Sequence, residues 1–187
     1  MSKKLIITIA TSICLLSGCA VRLASSPEDY QGSDFSRIRA KNYAYPLTMN
    51  IYEKDGDCYK HTDTKSLGPG FNIFGIKSTY NKKIPGMLPA SKEMQGLDAL
   101  EYKIKANQRI ELEYKAVTFR SQYTQTITTY RHRFIPKEGH DYDLYDDNLG
   151  IINIFDLTTN SFVNDGWGSD KECKGKVSYW TGKMNYD

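Results

Sequence analysis

Apolar and polar positions alternate with a period of two along most of this chain, the signature of half-buried strands. Leu47, Met49 and Ile51 alternate with Thr48, Asn50 and Tyr52, and Asp55-Gly56 then offers a two-residue turn into Asp57–His61. Tyr102, Ile104 and Ala106 alternate with Lys103 and Lys105. After Asn107-Gln108, Ile110, Leu112, Tyr114 and Ala116 alternate with Glu111, Glu113 and Lys115. These two runs read as one hairpin, with lysines on one strand facing glutamates on the other. Residues 122–135 are rich in Thr and Tyr and suit a strand, Tyr142 and Leu144 fit another, and Lys176–Thr181 a last one. Leu149–Leu157 is apolar on both parities, which suits a central strand. No amphipathic helical period competes. About seven to nine strands with turn signals between them predict an all-β chain folded as an antiparallel β-sandwich.

The stretch 62–96 breaks the pattern. Gly68-Pro69-Gly70, Pro85-Gly86 and Pro89 interrupt any long element, so an irregular excursion is expected that packs over an edge or covers a sheet face. Its glycine-rich part carries Phe71, Ile73 and Phe74. These side chains either dock a partner or plug an open end of the sandwich. The glycines are followed by neither Lys-Ser/Thr nor a helix, so they form no phosphate loop.

The first residues carry a different signal. Lys3-Lys4 precede an apolar run, Leu5–Leu16, of about a dozen residues, too short to span a bilayer, which takes nearer 20. It reads as an export signal. Leu16-Ser17-Gly18-Cys19 at its end resembles the lipobox of bacterial lipoproteins. The resemblance implies cleavage before Cys19, a diacylglycerol on its sulfur and an acylated amine. Several acyl chains make a stable anchor where one alone holds only marginally. Ala20 stands where Asp would imply retention in the inner membrane, so the resemblance implies the outer membrane, with the body on its periplasmic face. The expected organisation is a signal over 1–18, lipidated Cys19 with a flexible tether over 19–36, and one sandwich domain over 37–187.

Processing changes the arithmetic of charge and cysteine. The 187-residue chain has a formal charge of +3, which falls to about +1 without Lys3 and Lys4, and no block of like charges remains to recognise nucleic acid. Cys14 leaves with the signal and Cys19 takes lipid, so two of the four cysteines remain, Cys58 and Cys173. In an oxidising compartment they either join, closing a loop of about 115 residues worth about 4–5 kcal/mol, or stay as two separate buried thiols.

One further segment resembles a known group. Phe134-Ile135-Pro136-Lys137-Glu138-Gly139-His140-Asp141-Tyr142 is similar to an F-x-P-x-x-G-x-x-Y pattern of β-sandwich lipoproteins from Gram-negative bacteria. The likeness implies an immunoglobulin- or transthyretin-like sandwich and no particular chemistry.

Candidate chemistry is sparse. His61, His132 and His140 show no metal-ligand spacing, and neither C-x-x-C nor G-x-S-x-G occurs. Tyr130-Arg131-His132-Arg133-Phe134 is an alternating basic strand, read either as a patch for anions or as a solvated face. Asp141, Asp143, Asp146 and Asp147 with Asn148 are hard oxygen donors at close spacing, but lack the order of a calcium loop. Strand alternation puts Asp141 and Asp143 together on an exposed face. No catalytic residue, metal or cofactor is assigned. The expected function is a non-catalytic binding or assembly module, held at the outer membrane by lipid and facing an envelope protein or glycan. Its alternatives are an enzyme acting on glycan or peptidoglycan, and an inhibitor or defence lipoprotein.

Overall fold

The computed structural model describes residues 24–42, 46–69, 72–73, 76–77, 79–121, 124–147, 150–177 and 184–186. The expected signal, Cys19, Phe71 and Phe74 lie outside them. In chain order the strands are β1 Phe35–Lys41, β2 Thr48–Asp55, β3 Cys58–Ser66, β4 Asn72–Ile73, β5 Ile76–Lys77, β6 Ala99–Lys105 and β7 Arg109–Arg120. They continue with β8 Gln125–Phe134, β9 Asp141–Asp146, β10 Ile152–Asp156, β11 Ser161–Phe162, β12 Gly175–Val177 and β13 Met184–Tyr186. A five-stranded sheet of order β11-β10-β9-β1-β6 packs on a four-stranded sheet of order β3-β2-β7-β8, forming a β-sandwich. The ladders are antiparallel except β1–β9, which runs parallel.

Alternation fills the space between the sheets. Ile38, Ala40, Leu100, Tyr102, Ile104, Tyr142, Leu144, Ile152 and Ile154 come from the large sheet. Met49, Ile110, Leu112 and Phe134 meet them from the small one. Phe134 and Tyr142, the outer residues of the F-x-P-x-x-G-x-x-Y segment, pack edge to face at 5.7 Å, and the Lys137 N–H donates to the Tyr142 hydroxyl at 2.9 Å. Burial pushes the Tyr142 phenol up to about 12, so it remains a neutral hydroxyl at ordinary pH. That segment is a structural corner between the sheets.

The predicted 102–116 hairpin is not a hairpin. β6 and β7 belong to different sheets, and the backbone between them bonds elsewhere: Ala106 N–H donates to Asp34 O and Asn107 N–H to Pro136 O. Alternation identifies strands but does not name their partners. The expected lysine–glutamate pairs therefore do not form. Glu111 pairs with Arg133 at 2.6 Å, and Lys103 lies over the Phe35 ring at 4.1 Å.

The outer face of the large sheet is dry and charged. In the register, Arg37 stands opposite Asp141 and Arg39 opposite Asp143 on one side and Glu101 on the other. Arg39 Nη1 donates to Asp143 at 2.8 Å, its Nε to Glu101 at 2.9 Å and its Nη2 to the Leu88 carbonyl at 2.7 Å. Arg37 Nε donates to Asp141 at 2.6 Å. The remaining carboxylate oxygens accept backbone N–H groups from the 79–98 segment: Leu88 on Asp141, Ser91 on Asp143 (both 2.7 Å) and Ile84 on Glu101 (2.6 Å). Asp141 and Asp143 are thus on one face as expected but fully buried, because the excursion lies across them. Beside them Met94, Ala99 and Tyr145 form a small apolar cluster under the same layer.

The small sheet is covered from the C-terminal side. Cys58 and Cys173 form a disulfide, and Tyr59 exchanges backbone bonds with Lys171 and Cys173. Trp167 is buried there, its indole N–H donating to Ile110 O at 3.0 Å. At the other extreme of the chain, the expected tether is already part of the fold. Ser66 N–H donates to Ser25 O and Tyr30 N–H to Lys103 O, both at 3.0 Å, while Asp29 accepts from Lys103 N–H and Lys82. Residues 25–34 therefore bridge the two sheets along their open side, and β1 begins inside the segment expected to be a tether.

Breaking the buried network should be costly. Arg39→Ala leaves two buried carboxylates short of a partner and is expected to lower stability by about 3–5 kcal/mol in urea unfolding. A loss below about 1 kcal/mol would contradict the assignment. Burial alone would raise the Glu101 pKa, but Ile84 N–H, Arg39 and Lys83 together hold it below the ordinary glutamate value. A carboxylate held low stabilises the fold above its unfolded pKa of about 4.3, and that stability is lost as pH falls through the folded value. The urea midpoint should drop in this acid window, and Glu101→Gln should flatten that slope while lowering stability at neutral pH.

Candidate functional site

Several clefts carry polar side chains. One of about 490 Å3 lies along the 27–31 segment beside Lys103 and Lys105, with Asp29 already paired to Lys82. In the two that follow, most of the charges are matched. A cleft of about 310 Å3 on the outer face of the small sheet is lined by Tyr52, His61, Glu111, Arg131, Arg133 and Glu172. Arg133 bonds Glu111 and Glu172, and Arg131 bonds Glu113. Burial, with Glu111 and Glu172 beside it, pushes the Tyr52 phenol well above the ordinary tyrosine value, so it stays neutral. The basic strand 130–134 is thereby resolved by parity: its arginines face this cleft, while His132 turns the other way and bonds Ile152 O at 2.7 Å. A second cleft, of about 460 Å3, lies against Asp156, Tyr142, Phe162 and Trp167. One Asp156 oxygen pairs with His140 Nδ1 at 2.8 Å and the other accepts Thr158 and Thr159 N–H groups. Asp156 is thus held by its neighbours on both oxygens.

His61 bonds Thr64 Oγ1 at 2.8 Å. Among the described residues no three His, Cys, Asp or Glu side chains are placed to share a metal. Of the predicted contact patch, Phe71 and Phe74 lie outside the described residues, and Ile73 is described through its backbone, which pairs with Ile76.

The surface that stands open is one the sequence reading missed. β2 pairs with β7 from Arg109 to Glu113, ending at Thr48↔Glu113, but the β7–β8 ladder continues from Tyr114↔Tyr130 to Arg120↔Gln125. Tyr114 and Tyr130 still pack on the core, and Gly150, at φ +85°, lies so close to the Tyr130 ring that a Cβ there would meet it at 2.8 Å. Beyond that pair the two strands form a ribbon with neither sheet nor core beneath it. Val117 is 38% exposed, and Phe119 and Ile127 each 57%. Val117 and Ile127 oppose each other directly, and a register shift between Val117 and Phe119 re-aims the tip.

Such a two-stranded ribbon is marginal by itself in water and presents unpaired backbone edges. Its charge is one-sided: no acidic residue stands between Glu113 and Glu138, while Lys115 and Arg120 lie on the arm. Two signals of it are legible in the sequence: the apolar positions change parity after Ala116, to Val117 and Phe119, and acids vanish after Glu113.

The arm also has a definite position. The Asp55-Gly56 turn, Asn107 and the disulfide occupy one end of the sandwich. The arm leaves the opposite end, where Ser66 pairs with Thr48 and bonds Ser25, and where Ser26 Oγ donates to Gly68 O at 3.4 Å. Ile151, 51% exposed in the turn after β9, is at that same end. No family model, curated protein or solved structure matches the chain.

If the arm lies outside the cooperative fold, trimming it should cost almost nothing. The double variant Phe119→Ser/Ile127→Ser is expected to unfold in urea within about 0.5 kcal/mol of the parent. Leu112→Ala, fully buried on the same strand, should lose about 2–5 kcal/mol. Equal losses would show the arm to be packed into the core.

Proposed function

We propose that the protein is an outer-membrane lipoprotein, anchored through lipid on Cys19, that acts as a non-catalytic binding module with the β7–β8 arm as its contact surface. The observation that carries this reading is the arm: a ribbon with exposed Val117, Phe119 and Ile127, built at the end of the sandwich from which the N-terminal segment departs. The lipobox-like Leu16-Ser17-Gly18-Cys19 supplies the anchor. Confinement to a surface raises the effective concentration of the domain for whatever else lies there, so a weak contact suffices. The pairing of the carboxylates around Arg133 and His140 favours binding over hydrolysis. Asp156 is held by His140 and two backbone N–H groups, and Glu111, Glu113 and Glu172 by arginines. A glycosidase needs two carboxyl groups converging on a substrate about 5–10 Å apart.

Cell fractionation with mass analysis of the mature chain tests the anchor. The parent is expected in the outer-membrane fraction with a diacylated cysteine at its N-terminus, and Cys19→Ala in the soluble periplasmic fraction. A Cys19→Ala variant that still fractionates with the outer membrane would overturn the proposal.

A further inference from the structure

We infer that the surface the arm contacts is the lipid bilayer itself, the one that carries the anchor; this rests on the reading of Cys19 as lipidated. Reach is the first argument. Ser25 is fixed to Ser66, so six residue steps separate Cys19 from the folded body. Fully extended they span at most about 20–22 Å. Lys115–Arg120 rises about 20 Å beyond the Tyr114–Tyr130 pair at the usual strand rise. Both depart from the same end of the sandwich, so the lipid and the arm's tip come within reach of the same plane.

Chemistry is the second argument. The arm offers aromatic and branched apolar side chains with two cations: Lys115, which pairs with Glu113 at the arm's base at 3.0 Å, and Arg120, which has no ion pair among the described residues. Apolar side chains with flanking cations suit the boundary between headgroups and acyl chains, and cations favour an anionic surface. The absence of acidic residues from Tyr114 to Lys137 removes the charge that such a surface would repel. A ribbon marginal in water gains from an apolar boundary for these side chains. Two attachments, acyl chains and arm, hold orientation where one would allow the domain to swivel. The disulfide end, with the Asp156 cleft and Glu138, then points away from the membrane.

The test uses the mature protein purified from membranes, after its mass has settled whether Cys19 is acylated. Two variants, Phe119→Trp and Glu138→Trp, are reconstituted in vesicles of phosphatidylethanolamine and phosphatidylglycerol containing brominated acyl chains. Fluorescence is read as the difference from the parent, which contributes Trp167 and Trp180. Phe119→Trp should be quenched about two-fold or more and Glu138→Trp not at all. Arg120→Glu should weaken vesicle binding of the delipidated chain about five-fold. Acylated protein with Phe119→Trp unquenched overturns the inference and leaves the anchor standing.

Protein without acylation removes the anchor reading, and the same variants are then mixed with the vesicles as soluble chains. Quenching of Phe119→Trp still supports the arm's affinity for lipid, and no quenching overturns it. A Phe119→Trp signal that changes with protein concentration and not with lipid would assign the arm to a second copy instead.

Discussion

A guanidinium sealed between two carboxylates sets the architecture. Arg39 is 4% exposed, with Glu101 and Asp143 nearly or fully buried beside it. Removing three charges from water costs more than their attraction returns unless every remaining lone pair is satisfied. The sheet alone cannot do that. The missing partners are the backbone N–H groups of Ile84 and Ser91, which donate to Glu101 and Asp143, and the Leu88 carbonyl, which accepts from Arg39, so the irregular 79–98 segment must lie across the sheet for the register to be tolerable. The same ladder locks β1 between β6 and β9, because a slip of one residue would carry Arg39 into the apolar interior.

With one outer face covered by that layer and the other by the disulfide-tied C-terminal segment, little of either sheet remains for contact. The sandwich is left with its ends. One end is closed by the Asp55-Gly56 turn, the Phe134–Tyr142 corner and the Trp167 packing. The other carries the Ser25 attachment and the arm. That asymmetry gives the molecule a direction, and the proposed lipid anchor turns the direction into an orientation.

The strands were legible in the sequence because period-two alternation is a local property. Met49 and Ile51, or Leu112 and Ile110, announce a buried face without reference to anything distant. Partners were not legible. Tyr102–Lys105 and Ile110–Ala116 look like a hairpin, yet Asp34 and Pro136 capture the intervening backbone and send the two strands to different sheets. Asp141 and Asp143 were placed correctly by parity but read as solvated, since the arginines that bury them are more than a hundred residues away. The cysteine pair followed from compartment reasoning and formed as the simplest of the alternatives. The arm escaped notice because strand propensity says nothing about whether a sheet lies beneath; only the parity change after Ala116 and the disappearance of acids after Glu113 marked it.

In the proposed orientation the arm-bearing end faces lipid. Amide hydrogen exchange followed by mass spectrometry on the full mature protein, in phosphatidylethanolamine–phosphatidylglycerol vesicles and in detergent-free solution after delipidation, checks this orientation. Slower exchange on vesicles confined to peptides covering 115–121 and 124–129, with 136–140 unchanged, is the predicted result. Unchanged exchange in the arm, or protection at 136–140 in its place, would contradict the account.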